Sequence, residues 1–328
     1  MAHEQKPVVL LVGAAGRFGL QIVEALQATN AFDIVALVRP ESLSKTSVTV
    51  LREKGVKIRP GDFSKDTISQ LEDYLADVDF LISLINFTAI LEQKNMFLAA
   101  KNIRRVRRVI PCDFGTACVP NRRKLYDEGD CGCYTVKLQI RTYVWDLGLP
   151  HTFIDIGWFI EFILPQIPKS EGDEWFSQFS RQTYDSENVK VAVTASTDAG
   201  EFVAKIIQDD RTINKYVFCW SEEITQGDAY KIAKSVSGYD FDAVKVHVSD
   251  EDVHRRITEA AAIVQKDPSQ WFEVVKMTSY EYAYSIYICG DNTVENAKRQ
   301  GGLDARTLYP DLVPKTVEQV AKVFYAQT

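Results

Sequence analysis

Residues 7–28 read PVVLLVGAAGRFGLQIVEALQA, an apolar run, a glycine turn and an amphipathic helix. Val8 to Val12 is aliphatic without alternation, as expected of a strand buried on both faces of a parallel sheet. Gly13, Gly16 and Gly19 follow as G-x-x-G-x-x-G, with Ala15, Arg17 and Phe18 in the same loop. In such a unit the first glycine turns the chain, the second admits a pyrophosphate close to the backbone, and the third lets helix and strand pack closely. Backbone N–H groups and the positive helix end then face the phosphates. Set between a strand and a helix, the pattern predicts dinucleotide binding. A glycine triplet alone would equally suit a helix start that merely needs small residues.

Working outward, residues 32–38 (FDIVALV) predict a second strand, and Arg39-Pro40 stands at its end. An acidic residue there, about twenty beyond the glycines, would hold a ribose 2′-hydroxyl, whereas arginine suits a 2′-phosphate. Arg39 can grip phosphate bidentately and Lys45 adds a second cation, so the phosphorylated cofactor NADPH is expected over NADH. Residues 55–62 (GVKIRPGD) predict a third strand, 67–76 a helix and 78–84 (VDFLISL) a fourth strand. That strand ends at Ile85-Asn86-Phe87, where ligands meet open α/β sheets. A helix over 91–101 and a strand over 106–111 follow, ending in Cys112-Asp113-Phe114-Gly115. Strands separated by helical patterns throughout imply βαβ units, hence an α/β fold with a doubly wound parallel sheet of Rossmann type.

Residues 116–133 are irregular and form a candidate functional loop. The next stretch, 134–147 (YTVKLQIRTYVWDL), predicts a helix stopped by Gly148-Leu149-Pro150, with Lys137 and Arg141 four apart on one face. A strand over 152–156 leads into an apolar stretch with Trp158, Phe159 and Phe162. With Phe87 and Phe114 these are candidates to line a flat aromatic pocket, although aromatics so spaced are also ordinary core. The second half predicts strands over 189–193 and 215–219. Its expected helices cover 198–208 (capped at Thr197 or Asp198), 224–237, 250–265, 279–287 and 317–325. The expected division is a cofactor domain over 1–156, to which 189–219 returns, and a substrate domain over 157–328.

With 328 residues, 46% hydrophobic and 25% charged, the chain is an ordinary globular composition able to bury a sizeable core. A net charge of −7 argues against a nucleic-acid partner. The basic run 101–108 (KNIRRVRR) reads as a helix end, where the dipole favours cations, followed by a strand. The start lacks the apolar core of a secretory signal and no run approaches a membrane span, so a cytoplasmic protein with no membrane partner is expected. Six cysteines lack paired C-x-x-C spacing, so no metal is expected; Cys131 and Cys133 would need distant partners.

At Lys137 the motifs join. GAAGRFG, Leu37-Val38-Arg39, Gly61-Asp62-Phe63, Pro111-Cys112-Asp113-Phe114-Gly115, VKLQIR, Gly148-Leu149-Pro150-His151-Thr152 and LYPDLVPKTVEQV span nearly the whole chain. As a set they resemble the isoflavone reductase-like, NmrA-like branch of the atypical short-chain dehydrogenase/reductase superfamily. The resemblance implies a Rossmann domain with a smaller, mostly helical substrate domain. It also implies phosphate contacts at Gly13, Gly16 and Gly19, 2′-phosphate cations at Arg39 and Lys45, cofactor contacts at Asp62, Phe63 and Asn86, a catalytic lysine at Lys137 and a cofactor-contacting arginine at Arg141.

The chain departs from ordinary short-chain dehydrogenases in carrying Cys133 four residues before Lys137 where tyrosine is usual; Tyr134 is one place off and on a helix points elsewhere. It departs from the reductase branch at Cys112-Asp113, where Ser-Glu is typical, and at His151, where tyrosine is common. The expected function is NADPH-dependent reduction of an aromatic or polyketide-like small molecule of secondary metabolism by a monomer or homodimer, with Lys137 as general acid/base. Two alternatives share the pocket: a non-catalytic NADP-sensing regulator, and a non-redox isomerase or cyclase. A regulator would be marked by a missing lysine, and Lys137 is present.

Overall fold

The computed structural model of the chain describes residues 6–117, 133–169, 174–184 and 187–326. Its elements open with β1 (Val8–Val12), α1 (Arg17–Thr29), β2 (Asp33–Val38), α2 (Thr46–Glu53), β3 (Lys57–Pro60), α3 (Ile68–Leu75), β4 (Phe80–Ser83), α4 (Lys94–Ile103) and β5 (Arg108–Ile110). The five strands form a wholly parallel sheet in the order β3-β2-β1-β4-β5. β1 is buried at every position, which is why its sequence does not alternate. Its neighbours are β2 (Val8 opposite Asp33 to Val12 opposite Leu37) and β4 (Val9 opposite Phe80 to Val12 opposite Ser83), so the order of winding reverses beside it. A parallel bridge from Val109 to His151 carries the sheet on to β6 (Thr152–Asp155), beside which lies Lys215–Phe218. This is a Rossmann doubly wound sheet.

The helices form where apolar spacing and local chemistry agree. α1 buries Gly19, Ile22, Val23 and Leu26, positions i, i+3, i+4 and i+7, and stops at Asn30 in the left-handed conformation. α3 starts from a capping box in which Thr67 and Gln70 satisfy each other's backbone N–H. α5 (Cys133–Asp146) carries Lys137 and Arg141.

Several boundaries differ from expectation for local reasons. A 3-10 segment, Phe87–Gln93, precedes α4 and delays it to Lys94, and the fifth strand is limited to Arg108–Ile110. α2 escapes notice in the sequence because only Val48 and Leu51 are buried in it. The basic run is structural. Arg105 and Arg107 pair with Asp79 at 3.2 and 3.1 Å, and Arg108, buried within its own strand, donates to the carbonyls of Ile206 and Asp209.

By compactness the chain divides into one unit of Met1–Phe114, Thr135–Ile154 and Ala199–Val217, and a second of Gly115–Tyr134, Asp155–Asp198 and Phe218–Thr328. The segment grouped with the sheet is thus narrower than 189–219, and 115–134 goes with the second unit. The reason lies in the pairing of Lys190–Thr194. It runs antiparallel to Glu222–Thr225 and parallel to Trp158–Phe159, both in the second unit.

The second unit adds a short parallel pair, Val246–Val248 with Gln182–Tyr184, and a mostly helical body. Its core gathers Tyr184, Val193, Ile257, Ile286 and Val317. The expected helix 224–237 begins as the strand Glu222–Thr225, and Thr225 then caps the helix Gln226–Ser237 by accepting from the Asp228 N–H. The expected helix 279–287 is the end of Trp271–Ala283, continued by a π-helical turn at Tyr284–Ile288. Asp198 does not begin its helix, which runs Ser196–Ile206; its buried carboxylate accepts from Ser221 Oγ and from the backbone and ammonium of Lys315.

One close approach within the first unit is a direct test of the packing. A Cβ at Gly200 would meet the Gln21 carbonyl oxygen at 2.7 Å, so the absence of a side chain lets this segment lie against α1. Gly200→Ala is expected to destabilise the protein by about 2 kcal/mol, read as a lower urea midpoint at unchanged m-value.

Candidate functional site

The glycine turn shapes a cavity of about 350 Å³ at the carboxyl ends of the strands. Its wall takes Val12, Gly13, Ala14, Ala15 and Gly16 from the turn, Val38 and Arg39 from the end of β2, Gly61, Phe63 and Ser64 after β3, and Leu84, Ile85 and Asn86 after β4. Gly13 holds a φ of +86°, and a Cβ there would overlap the Leu84 carbonyl. A Cβ on Gly16 would meet the Gly13 carbonyl oxygen at 3.3 Å, and one on Gly19 would overlap it. At Gly13 and Gly19 only glycine allows the turn, the helix start and the end of β4 to come so close, and Gly16 leaves space at the helix start.

α1 begins at Gly16 with no side-chain cap and no acidic residue in its first turn, so its positive end is not neutralised locally. Arg17, Phe18 and Gly19 are not part of this wall. Arg17 is exposed, and Phe18 packs edge-on against Phe114 at 5.2 Å.

Two cations line the cavity. Arg39 stands just before the 3-10 turn Pro40–Ser42 and Lys45 just before α2; both are exposed, and Ser42 and Ser47 line the cavity with them. Arg39 pairs with Glu41 at 3.7 Å, but both side chains are more than half exposed and such a pair binds the guanidinium only weakly. The two serines were not anticipated; nothing in their spacing marks them, and α2 itself had to be known to place them.

Asp62 has a structural part of its own. It does not line the cavity. Its carboxylate accepts from the Ser64 N–H at 3.0 Å and Oγ at 2.7 Å and lies 3.4 Å from the Lys65 ammonium. Burial alone would raise its pKa, but the bonds from Ser64 and Lys65 outweigh burial and hold the carboxyl below its ordinary value. Asp62 therefore builds the turn that brings Phe63 and Ser64 to the wall.

A second constellation lies in the same unit, where α5 meets the end of β5. Lys137 is 3% exposed, and its Nζ donates to the Asp113 main-chain carbonyl at 3.0 Å and stands 3.9 Å from Asp113 Oδ1. Arg141 Nε binds Asp113 Oδ2, and its guanidinium lies 5.3 Å from the Phe153 ring and 4.9 Å from the Tyr216 ring. The expected shared face of Lys137 and Arg141 is thus real, and a carboxylate joins them. Beside them the Cys112 thiol bonds to the Ile85 carbonyl. Burial pushes its pKa up to about 12 against the opposing charge of Lys137, so this thiol is not a nucleophile near neutrality.

The remaining candidates disperse. Phe114 belongs to the first unit, against Phe18. Trp158, Phe159 and Phe162 belong to the second, where Trp158 contacts the rings of Phe162 and Tyr282 and Phe159 meets Phe162 edge-on. Phe162 is 53% exposed. Tyr134 shares a 2.6 Å hydrogen bond with Thr116 and packs on Tyr282. His151 is buried with its Nδ1 on the Leu149 carbonyl, and burial lowers its pKa. The Phe87 and Cys133 side chains, Cys131 and most of the loop 116–133 lie outside the described residues. Among the described residues no group of His, Cys, Asp or Glu could hold a metal ion, and no helix is long and apolar enough to cross a membrane.

A doubly wound sheet, a glycine turn opening on a cavity and a buried lysine on α5 define an α/β protein of the Rossmann class. The chain belongs to the NmrA-like family, whose profile matches residues 5–320. It is similar to asnovolin J 5′,6′-dehydrogenase of Aspergillus novofumigatus, 29% identical over 98% of this chain and 97% of that protein. It is also similar to a probable pinoresinol-lariciresinol reductase of Arabidopsis thaliana, 25% identical over 97% of each. Among solved structures, the leucoanthocyanidin reductase–NADPH complex from Vitis vinifera superposes with a TM-score of 0.78 at 23% identity, over 97% of this chain and 99% of that one.

The role found for Asp62 can be measured. Because its folded pKa is depressed, the stability it contributes is present above the ordinary value of 3.8 and lost as pH falls through the folded value. Asp62→Ala is expected to cost about 1–2 kcal/mol at pH 7. The gap from the unsubstituted protein, read by denaturant unfolding, stays constant from pH 8 to 5 and narrows only in stronger acid.

Proposed function

We propose that this protein is an NADPH-dependent reductase of an aromatic or polyketide-like small molecule in secondary metabolism, with Lys137 as the proton donor. The observation that carries the reading is the buried ammonium of Lys137, held by Asp113 at the end of β5, in the unit that also bears the glycine-turn cavity. A buried charged side chain held by a specific partner is the kind of group that functional sites carry. A regulator that only binds the dinucleotide would be marked by loss of the lysine.

The residues at the cavity fit the phosphorylated dinucleotide. The uncapped start of α1 and the side-chain-free Gly16 suit the pyrophosphate, and Arg39 with Lys45 suits a 2′-phosphate. When bound, the reduced dinucleotide supplies a hydride. Lys137 holds a proton at Nζ for the anion that hydride addition leaves on the substrate, and Arg141 binds the Asp113 carboxylate beside it. The first compact unit carries the cofactor. The second, with the aromatic group around Trp158 and Phe162, carries the substrate, and similarity to an asnovolin J 5′,6′-dehydrogenase and a probable pinoresinol-lariciresinol reductase supports that choice of chemistry.

Fluorescence titration should give a clear preference for NADPH over NADH. Arg39→Ala should weaken NADPH about tenfold or more and leave NADH unchanged; equal affinity for both cofactors in the unsubstituted protein would overturn the cofactor assignment. In stopped-flow oxidation of NADPH with a panel of enones and hydroxylated aromatics, Lys137→Ala should abolish turnover while the far-UV spectrum and NADPH affinity are kept. Conversion of a substrate without NADPH consumption would favour the isomerase.

A further inference from the structure

At the amino ends of the strands, away from the glycine turn, the first unit has a second cavity, of about 410 Å³. It is lined by Lys6, Pro7 and Val8 at the start of β1, Ala31 before β2, Asp79 before β4, and Arg105 and Arg107 before β5. Three of these side chains are cations and one is a carboxylate. Asp33, the first residue of β2, does not line it.

The carboxylate is an internal anchor. Asp79 is 2% exposed; its Oδ2 accepts from the Val8 N–H at 3.0 Å, and its Oδ1 lies 3.2 Å from Arg105 Nη2 and 3.1 Å from Arg107 Nε. Those Oδ1 contacts are ionic only, since that oxygen accepts no hydrogen bond, and Arg105 makes a single long one, 3.3 Å, to Oδ2. The pairs that fix the two arginines therefore leave most of their N–H groups unspent, on side chains that are half exposed or more. Among the described residues Lys6 bonds only to the neutral side-chain oxygen of Asn30, at 2.7 Å. Helix ends offset part of this positive charge: α1 and α4 both finish at this end of the sheet, and a helix carboxyl end carries about half a negative charge. Three cations against one acid still leave an excess, in a chain whose net charge is −7.

Arginine presents its N–H groups as planar forks that match phosphate oxygens, and lysine adds a point charge. We propose that this cavity binds a doubly charged phosphate group, free or on a small phosphomonoester, with Arg105 and Arg107 as the forks, Asp79 as the residue that orients them and Lys6 as the third cation. A single cavity rather than a long basic stripe suits a small ligand and not a nucleic-acid backbone. Its volume falls within the roughly 300–1,000 Å³ of small-molecule sites, which leaves room beside the phosphate for the group that carries it. The site is distinct from the cofactor cavity, which lies at the other ends of the same strands.

The test reads the arginines themselves. In protein labelled with ¹⁵N-arginine, the Nε–H signals of Arg105 and Arg107 are identified by their loss in Arg105→Gln and Arg107→Gln. They are then followed as inorganic phosphate or 5′-AMP is added, with sodium chloride at equal ionic strength as the reference. Both signals should move with phosphate along one saturating curve, while chloride moves them little. Arg105→Gln should weaken the response of the Arg107 signal about tenfold. Lys6→Gln, which leaves Asp79 and its partners in place, should weaken binding about threefold, and Arg39→Ala at the cofactor cavity should leave both curves unchanged. Tighter binding of 5′-AMP than of phosphate assigns the site to a phosphomonoester, and the reverse order assigns it to the free anion. Shifts that chloride reproduces, that do not saturate, or that are identical in Lys6→Gln would overturn the proposal.

Discussion

The structure of the first unit depends on backbone approaching backbone at the glycine turn. The Gly16 N–H donates to the Gly13 carbonyl at 3.1 Å, the same oxygen that a Cβ on Gly19 would strike, and Gly13 itself is pressed against the Leu84 carbonyl. Three chain segments, the end of β1, the start of α1 and the end of β4, thus converge within van der Waals distance at the point where the sheet reverses its order. Any side chain there would push the helix outward and fill the space a phosphate would take. The cavity exists because these positions are empty of side chains, and the strand ends around it supply its polar rim.

A second constraint is the balance of charge where α5 meets β5. Burying one cation is expensive, and burying two on one helix face is more so. The chain places a carboxylate from the preceding strand end beside both, so Asp113 offsets part of their charge. The same logic recurs in quieter form at Asp79, which gathers Arg105 and Arg107, and at Asp198, which takes donors from Ser221 and Lys315. In each case an enclosed acid gathers cationic side chains of its own unit.

Much of this was legible before any coordinates. β1, α1 and β2 were readable because their burial is uniform or strictly periodic, and Gly13 and Gly19 because backbone geometry admits nothing else. Lys137 and Arg141 were placed on one face by spacing alone. What escaped reading were elements whose stability comes from partners distant in sequence. Glu222–Thr225 looks like the start of a helix until Lys190–Thr194 pairs with it. α2 has only two buried positions, and Trp158–Phe159 is a two-residue strand that exists through its register with Val193 and Thr194. The local bonds of Asp62 also escaped reading: Ser64 and Lys65, close to it in the chain, bind its carboxylate.

The sequence by itself determined the Rossmann sheet, the location of the glycine turn, the cation at the end of β2 and the presence of a lysine on α5. These follow from local rules: which residues tolerate a backbone conformation, which faces repeat with a helical or extended period, and which charges suit a phosphate. Only the tertiary structure decided that Asp113, twenty-four residues before Lys137, lies beside both that lysine and Arg141. No spacing rule links a strand end to a helix across a long connection; their meeting is set by how β5 and α5 pack, and the carboxylate beside the lysine follows from that packing.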